Sequence, residues 1–312
     1  MSGIALAGER SGARARRGVA SAEAPWVRRT LIAVALVFLG LCVVLPLVTV
    51  FGSALSKGFG AYLHALGDEE SLSAMRLTLL TAAIAVPLNF VFGIAAAWLI
   101  AKYEFFGKNA LLSIIDLPFS VSPVISGLIF VLLFGAQGWL GPTLESLDIK
   151  VIFAVPGIVI ATTFVTFPLV AREVLAVMQA QGNDEEEAAL TMGASGFQIL
   201  LRVTLPKVRW GVFYGAILCN ARAMGEFGAV SVVSGHVRGQ TNTMPLQVEI
   251  LYNEYNFVAA FTVASLLALI ALLTLLVKKA AEWASRARHA RSALAPARAI
   301  AKTPDKPGVV VS

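Results

Sequence analysis

Long stretches without a charged residue dominate this chain and alternate with short charged segments. A helix needs about 20 apolar residues to cross the hydrocarbon layer of a membrane, because only an internally bonded backbone is stable there. Five charge-free stretches reach that length, at residues 30–56, 77–101, 117–144, 151–171 and 255–277. A sixth, at residues 210–234, has spanning length but carries Arg222 and Glu226. The pattern predicts an all-α polytopic membrane protein with six transmembrane helices.

The basic residues are unevenly distributed, and this predicts the orientation of the chain. Six spans would place both termini on one side. That side carries 6 Lys and Arg before the first span, 2 between spans two and three, 4 between spans four and five, and 8 in the tail, which is 20 of the 25. Cytoplasmic segments retain Lys and Arg. We therefore expect cytoplasmic N and C termini, and the formal charge of +6 indicates a membrane surface rather than a nucleic-acid partner.

Both ends of the chain are basic and rich in alanine. Residues 1–29 lack apolar periodicity and are expected to form a disordered cytoplasmic arm. The rival interpretation is a secretory signal peptide, whose apolar region spans about 7 to 15 residues. The run at 30–56 has 27 residues, so it predicts an uncleaved first transmembrane helix. Residues 280–312 are expected to form a basic cytoplasmic tail that frays into disorder.

The longest predicted cytoplasmic connection, residues 172–209, joins spans four and five and contains four consecutive acids, Asp184 to Glu187. Acidic residues stabilise the positive N-terminal end of a helix, so a short helix from Glu185 to Met192 is expected. Gly193 then ends it. A second, amphipathic helix is expected to follow, and Pro206 is expected to stop that helix shortly before span five.

This connection resembles the EAA motif of ABC importer permeases. The matching residues are Glu187, Ala188, Ala189, Gly193, Val203, Leu205 and Pro206, with Val203 where the family usually has Ile. The resemblance implies that the loop 181–206 is a coupling segment, which inserts into a cleft of a separate ATPase subunit. The rival interpretation is an amphipathic helix resting on the membrane surface. Such a helix would have a basic polar face, whereas this one begins with acids.

The same resemblance implies an architecture and a set of partners. It predicts the type I ABC importer permease fold, with the first helix at 30–56 followed by a transmembrane domain at 72–279 that contributes five helices. The implied partners are a homologous permease subunit, two ATPase subunits that bind ATP and Mg, and a periplasmic binding protein. The implied location is the bacterial inner membrane. No cofactor is expected in this chain.

The sequence lacks the signatures of an enzyme. Gly107-Lys108 is the only Gly-Lys pair and is not part of a phosphate-binding loop, and no HExxH or GxSxG sequence occurs. We therefore expect no catalytic residues and no metal site. The competing class is an ion-driven secondary carrier, which would bind its ion at a buried acid. Asp116 and Glu226 are the candidates for that role.

A second resemblance concerns the substrate. Residues 220–235 are similar to the fifth span of sulfate/thiosulfate permeases, and particularly of the W-type subunit. Residues 245–252 resemble the outer loop of that subunit, and residues 117–123 match in span three. The resemblance implies transport of sulfate or thiosulfate beside a T-type partner permease. A molybdate or tungstate permease remains the alternative, because such permeases share the EAA motif.

Arg222 and Glu226 are the charged residues of the fifth span and are candidates for a gate. A charge at mid-membrane costs about 2.5–3.5 kcal/mol on insertion scales, so each needs a partner or water. At positions i and i+4 they share one helical face. One interpretation is a neutralised pair that holds helices together, and the other is a gate on the translocation pathway. Asn220, Ser120 and Ser122 are further candidates for lining that pathway.

Overall fold

The structure is a computed structural model that describes residues 25–301, where the chain forms helices, turns and loops without a β-strand. The helices are α1 (Pro25–Leu39), α2 (Leu45–Ala54), α3 (Phe59–Gly67), α4 (Glu69–Lys102), α5 (Lys108–Ser120), α6 (Pro123–Phe134), α7 (Gly141–Ser146), α8 (Val155–Ala180), α9 (Asp184–Thr191), α10 (Gly196–Ile199), α11 (Leu205–Met224), α12 (Gly228–Ser234), α13 (Met244–Asn253) and α14 (Phe257–Ala301). Two π-helical turns join neighbouring helices, Gly40–Val44 between α1 and α2 and Leu200–Thr204 between α10 and α11.

Four continuous helices in the described part of the chain are long and apolar enough to cross a membrane. They are Trp26–Ala54, Glu69–Lys102, Val155–Ala180 and Phe257–Val277, and they correspond to the first, second, fourth and sixth predicted spans. Two bent helix pairs raise the number to six if each pair counts as one span. The prediction of an all-helical chain with several membrane-spanning helices is therefore confirmed.

The third and fifth spans are not continuous helices, contrary to the sequence prediction. The third bends by 108° between α5 and α6, and the fifth bends by 52° between α11 and α12. Pro123 begins α6 and forces Ser122 into an extended conformation, because its ring clashes with a helical preceding residue. In the fifth span Gly225 and Gly228 flank the break, and glycine is a poor helix former. The break of the third span carries no charge, whereas the break of the fifth span contains Glu226.

The centre of the helical core consists of α4, α8 and α11. Helices α4 and α8 run in the same direction, since Asn89 contacts Thr166 and Lys102 contacts Gly182. Small residues allow close packing, as a Cβ on Gly93 would lie 3.0 Å from Val170 and one on Gly211 would lie 2.6 Å from Val177. Both α4 and α8 therefore end beside the predicted coupling segment, and α11 begins there. We call this the coupling end.

The two broken spans contact each other at their breaks. A Cβ on Gly228, the first residue of α12, would lie 2.9 Å from the Cβ of Pro123, the first residue of α6. One helical turn into α6, a Cβ on Gly127 would lie 2.8 Å from the carbonyl oxygen of Ala229. The backbones of α6 and α12 are therefore in close contact, and the breaks of the two spans lie next to each other. We call this site the junction of the two breaks.

The opposite end of the core is closed by α13, which includes the residues 245–252 that the sequence comparison assigned to an outer loop. Helix α13 is largely buried, and Gln247 is completely so. Its first N–H, at Met244, donates to the hydroxyl of Thr78 on α4 over 2.8 Å. Arg238 in the preceding connection pairs with Glu70 and Glu254. The hydrogen bond that Arg238 donates to Glu254, more than the charge of Glu70, raises the pKa of Arg238 above its usual value.

The predicted arm and tail are only partly within the described residues. Residues 25–29, the last part of the predicted arm, are helical and belong to α1, whereas residues 1–24 lie outside the described part. Helix α14 continues to Ala301, well past the predicted end of the sixth span at residue 277. The remaining tail residues, 302–312, lie outside the described part.

Candidate functional site

The predicted coupling segment forms a compact helix–turn–helix at the coupling end. Helix α9 occupies Asp184–Thr191, close to the predicted range from Glu185 to Met192. Gly193 follows with φ of +85°, in the left-handed region that favours glycine. The next helix starts with a capping box in which Ser195 and Gln198 exchange backbone and side-chain hydrogen bonds. The angle between the two helices is thus set by one glycine and one reciprocal cap.

Glu186 fastens α9 to the core. Its Oε2 atom lies 2.8 Å from Nζ of Lys102, at the end of α4, and both side chains are nearly buried. Its Oε1 atom accepts a hydrogen bond of 2.7 Å from the hydroxyl of Thr204, in the π-helical turn. Asn183 stands at the N-cap but caps nothing, because its amide oxygen accepts from Lys102 as well. Sequence reasoning missed these anchors.

The other side of the same segment is uncovered. Glu187 and Ala188 are exposed, while Ala189, which completes the motif, is buried against the core. Three large apolar side chains are also exposed: Leu190 by 63%, Met192 by 81% and Phe197 by 68%. We call Glu187, Leu190, Met192 and Phe197 the docking face. A soluble surface seldom exposes such apolar groups together, and clusters of this kind mark interaction sites.

Pro206 does not stop the second helix, contrary to the prediction. The helix continues without a break from Gly196 to Met224, with Pro206 in the first turn of α11. The π-helical turn just before it makes this compatible, since the N–H of Leu205 donates to the carbonyl of Leu200, five residues back. A turn widened in this way has room for the ring of proline, which brings no N–H to satisfy. Val203 and Leu205 are half-buried at the same turn.

The second candidate site lies at the junction of the two breaks. Arg222 is in the last turn of α11, and Glu226 lies in the break rather than on the same helix, as the i, i+4 spacing had suggested. The two charges nevertheless pair, with 2.5 Å between Nη1 and Oε2. This contact is ionic, because its angles are not those of a hydrogen bond. Glu226 is 2% exposed, and its Oε1 accepts the N–H of Ala229 at the start of α12 over 3.0 Å.

Of the other three residues predicted to line the pathway, only Ser122 lies beside the break that contains Glu226. Ser122 immediately precedes Pro123 and so lies where the break of the third span contacts the break that holds Glu226. Ser120 is exposed, and its hydroxyl lies 3.5 Å from the carbonyl oxygen of Asp116 in its own helix. The amide of Asn220 contacts the sulfur of Met224 on its own helix at 3.6 Å. The structure therefore unites Ser122, Arg222 and Glu226 at one junction, and leaves Ser120 and Asn220 bonded locally.

A buried polar contact that the sequence did not indicate joins the three central helices. Asn89 is fully buried on α4, and its amide donates to the hydroxyl of Thr166 on α8 over 2.6 Å and to the sulfur of Cys219 on α11 over 3.4 Å. An uncharged asparagine inside an apolar span was the available signal. The contact ties together the helices that connect the coupling end with the junction.

One family model matches most of the chain. The family described as "Binding-protein-dependent transport system inner membrane component" matches residues 89–285. The sulfate transport system permease protein CysW of Synechocystis is 52% identical over 242 residues, covering 78% of this chain and 88% of the relative. The CysW protein of Escherichia coli is 45% identical over 258 residues, covering 83% and 89%. The resemblance to W-type permeases is therefore confirmed.

A more distant relative and a solved structure extend the comparison. The CysT permease of Escherichia coli is 33% identical over 232 residues, covering 74% of this chain and 84% of the relative. A chain in the crystal structure of a bacterial alginate ABC transporter, solved with an alginate pentasaccharide-bound periplasmic protein, shares the fold. That match has a TM-score of 0.70 and 16% identity, and covers 81% of this chain and 92% of the other. The chain belongs to the family of binding-protein-dependent transport system inner membrane components.

Proposed function

We propose that this chain is the permease subunit of an ATP-driven importer of sulfate or thiosulfate, and that separate subunits hydrolyse the ATP. The observation that carries this proposal is the two-sided construction of the predicted coupling segment. Glu186 is locked to Lys102 and Thr204, while the docking face of the same helix pair is uncovered. A segment fixed on one side and available on the other can transmit a force from a docked partner.

The substrate is assigned from the relatives. Their names specify sulfate transport at 45% to 53% identity. Molybdate and tungstate permeases remain the alternative, and competition for uptake separates them. The junction of the two breaks supports an oxyanion route only in a general way, since Arg222 attracts an anion while Glu226 repels it. Such a pair provides a passage rather than a tight binding site.

The remaining components are proposed from the family. A T-type permease is the proposed partner in the membrane, and its kind is represented among the relatives by the CysT proteins. Two ATPase subunits that bind ATP and Mg would dock beneath the permease pair, one of them on the docking face of this chain. A periplasmic binding protein would deliver the anion at the opposite end. The docking face then lies in the cytoplasm with both termini, in agreement with the positive-inside distribution of Lys and Arg.

The mechanism follows from one continuous helix. Residues 196 to 224 form a continuous helix that leads from the docking face to Arg222. At 1.5 Å per residue these 29 residues span about 43 Å, which is the thickness of a membrane with its headgroup regions. Closure of the ATPase pair would push α9, tilt this helix and separate Arg222 from Glu226. The gate would thereby open in response to ATP.

The two acids that could bind the ion of an ion-driven carrier, Asp116 and Glu226, are both paired with arginine. A carrier of that class binds a proton or sodium ion at an acid that changes its protonation or its ligands. Asp116 lies 2.5 Å from Arg172, and Glu226 lies 2.5 Å from Arg222. Because each carboxylate already has a permanent cation beside it, neither is available for a transported cation.

Uptake of labelled sulfate tests the proposed function. Cells that lack only this chain should lose uptake, and the chain supplied in trans should restore it. Unlabelled thiosulfate should compete in the restored cells, whereas an equal concentration of molybdate should not. If molybdate competed and thiosulfate did not, molybdate would be assigned as the substrate instead of sulfate. Unchanged sulfate uptake in cells without the chain would refute the proposed function.

A further inference from the structure

One face of α5 is polar along its whole length, although the helix lies within a bent span. Its polar residues recur at intervals of four, three and four positions, which places them on the same side of a helix. They are Asn109, Ser113, Asp116 and Ser120. Three of the four are exposed, and Asp116 is half-exposed. The neighbouring α8 contributes Arg172 and Gln179, both also exposed.

Arg172 and Asp116 connect these two helices. Nε of Arg172 donates to Oδ1 of Asp116 over 2.5 Å, and the guanidinium carbon lies 5.7 Å from the centre of the Phe119 ring. The Arg172 side chain is 57% exposed. A cavity of about 260 Å³ beside the pair is bordered by both charges and by apolar side chains of α4, α5 and α8. Since one water occupies about 30 Å³ of liquid, the cavity can hold a small hydrated anion.

The exposed Arg172 and the polar face of α5, which we call the polar stripe, indicate that this face does not contact lipid. Charged side chains within membrane-spanning segments face the interior of a bundle, a water-filled cavity or another protein, and not lipid. The face is also electrically suited to a passing anion. The Nε atom of Arg172 donates to Asp116, and its two Nη groups have no hydrogen-bond partner among the described residues. The two Nη groups form the fork with which arginine binds oxyanions.

We infer that Arg172, oriented by Asp116, is a second contact for the transported oxyanion, on a water-filled approach between the coupling end and the junction of the two breaks. This inference rests on the proposed function and adds a residue to the route. The carboxylate positions the guanidinium and also balances most of its charge, which keeps the contact weak. A weak contact lets the anion leave, as conduction along a route requires. The rival is that this face packs against the partner permease.

Chemical rescue in the reconstituted complex distinguishes a contact between Arg172 and the transported anion from packing of this face against the partner permease. The complex carries Cys42→Ser in this chain, since Cys42 is exposed and Cys219 is buried. In that background Arg172→Cys should lower sulfate transport about tenfold, the loss expected for one charged hydrogen bond. Aminoethyl methanethiosulfonate attaches an ammonium group and should restore most of the rate. Sulfonatoethyl methanethiosulfonate attaches an anion and should not. Arg172→Lys should retain most of the transport without any reagent.

The matched control is Arg209→Cys, on α11 at the coupling end, where the guanidinium stands over the ring of Trp210 and outside the polar stripe. This variant should change transport less than about twofold, with or without either reagent. Failure of both reagents to modify Arg172→Cys would assign the face to the partner permease and overturn the inference. Equal effects of the two reagents, or normal transport in Arg172→Cys, would overturn it too. Sulfate transport by the parent complex is measured first, so a failure of the proposed function is recognised separately.

Discussion

At the scale of single residues, the carboxylate of Glu226 is held from two sides. Its carboxylate is buried in a break between two helices, where one oxygen caps α12 and the other meets Arg222. Arg222 is still 41% exposed. Because Arg222 remains partly hydrated, it can separate from the buried Glu226 without losing its contact with solvent. This is a suitable construction for a gate, because burying Arg222 as well would add the desolvation cost of a second charge.

We predict that Glu226→Gln uncouples the complex. Glutamine keeps an oxygen for the N–H of Ala229 but loses the attraction to Arg222, which is worth about 1 kcal/mol for a pair with one exposed partner. ATP hydrolysis without substrate should rise about fivefold, and sulfate transport per ATP should fall. ATPase assays with and without the binding protein measure this.

Glu145→Gln provides the control, because Glu145 is an exposed carboxylate on α7 and should leave both rates unchanged. Arg222→Gln should uncouple in the same way as Glu226→Gln, while Arg222→Lys should do so less. Coupled transport at the parent rate in both glutamine variants would leave only a structural role for the pair.

At the scale of elements, the molecule depends on two broken spans that meet. Helices α6 and α12 approach through Gly127 and Gly228, where even a methyl group would touch backbone or proline atoms. Spans interrupted at corresponding depths are how many transporters place polar groups within a membrane. Here the contact between the interruptions brings Ser122 beside the segment of Glu226 and thereby builds the junction.

We predict that Gly127→Ala separates the breaks. The added Cβ would lie 2.8 Å from the carbonyl oxygen of Ala229, so α6 must move. Overpacking of this kind costs about 1–3 kcal/mol. Sulfate transport should fall severely and the complex should unfold several degrees lower, as measured by thermal denaturation in detergent.

The control Gly52→Ala adds the same methyl group to α2, where nothing lies within 4 Å. Alanine is the better helix former at both positions, so propensity alone would stabilise both variants. A Gly127→Ala complex as active and as heat-resistant as the Gly52→Ala complex would show that the close contact is unimportant.

Sequence predicted the spans better than their shape, for a physical reason. The hydrocarbon layer selects for length and absence of charge, and both are visible residue by residue. A break such as that at Ser122 and Pro123 adds no charge, and proline also occurs within unbroken helices here, as at Pro87 and Pro168. The presence of proline therefore does not by itself identify a break.

The same limit applies to the candidate sites. The helix α9 and the turn at Gly193 were predictable, because acids at a helix start and glycine after its end act within a few residues. The anchor of Glu186 to Lys102 was not, because the two are far apart in sequence and charge alone does not reveal which of four acids turns inward. The pair of Arg172 and Asp116 was missed for the same reason.

At the scale of the whole molecule, the chain is one part of an assembly. Its docking face combines a carboxylate with Leu190, Met192 and Phe197, and the relatives to which it is similar are named as parts of transport systems. Apolar side chains at the centre of an interface usually carry most of its affinity, with charged groups at the rim providing specificity.

We predict that Met192→Ser with Phe197→Ser prevents assembly with the ATPase subunits. Loss of two central apolar contacts should weaken docking at least about tenfold. The variant should insert into the membrane and associate with the partner permease as before, while the ATPase subunits should no longer co-purify with it.

Trp139→Ser is the matched control, since Trp139 is 89% exposed in the connection after α6 and does not belong to the docking face. It should assemble normally. Full recovery of ATPase subunits with the double variant would remove the docking face from the proposed function.

The π-helical turn Leu200–Thr204 determines which way the fifth span points relative to α9. A turn closed over five residues contains one residue more than a regular turn. Each residue of an α-helix advances by 100°, so this single extra position sets the azimuth of Arg222 with respect to Glu186. Removing one residue there would leave sequence, hydropathy and helix content almost unchanged, yet it would rotate the charged end of the span by more than a quarter of a circle.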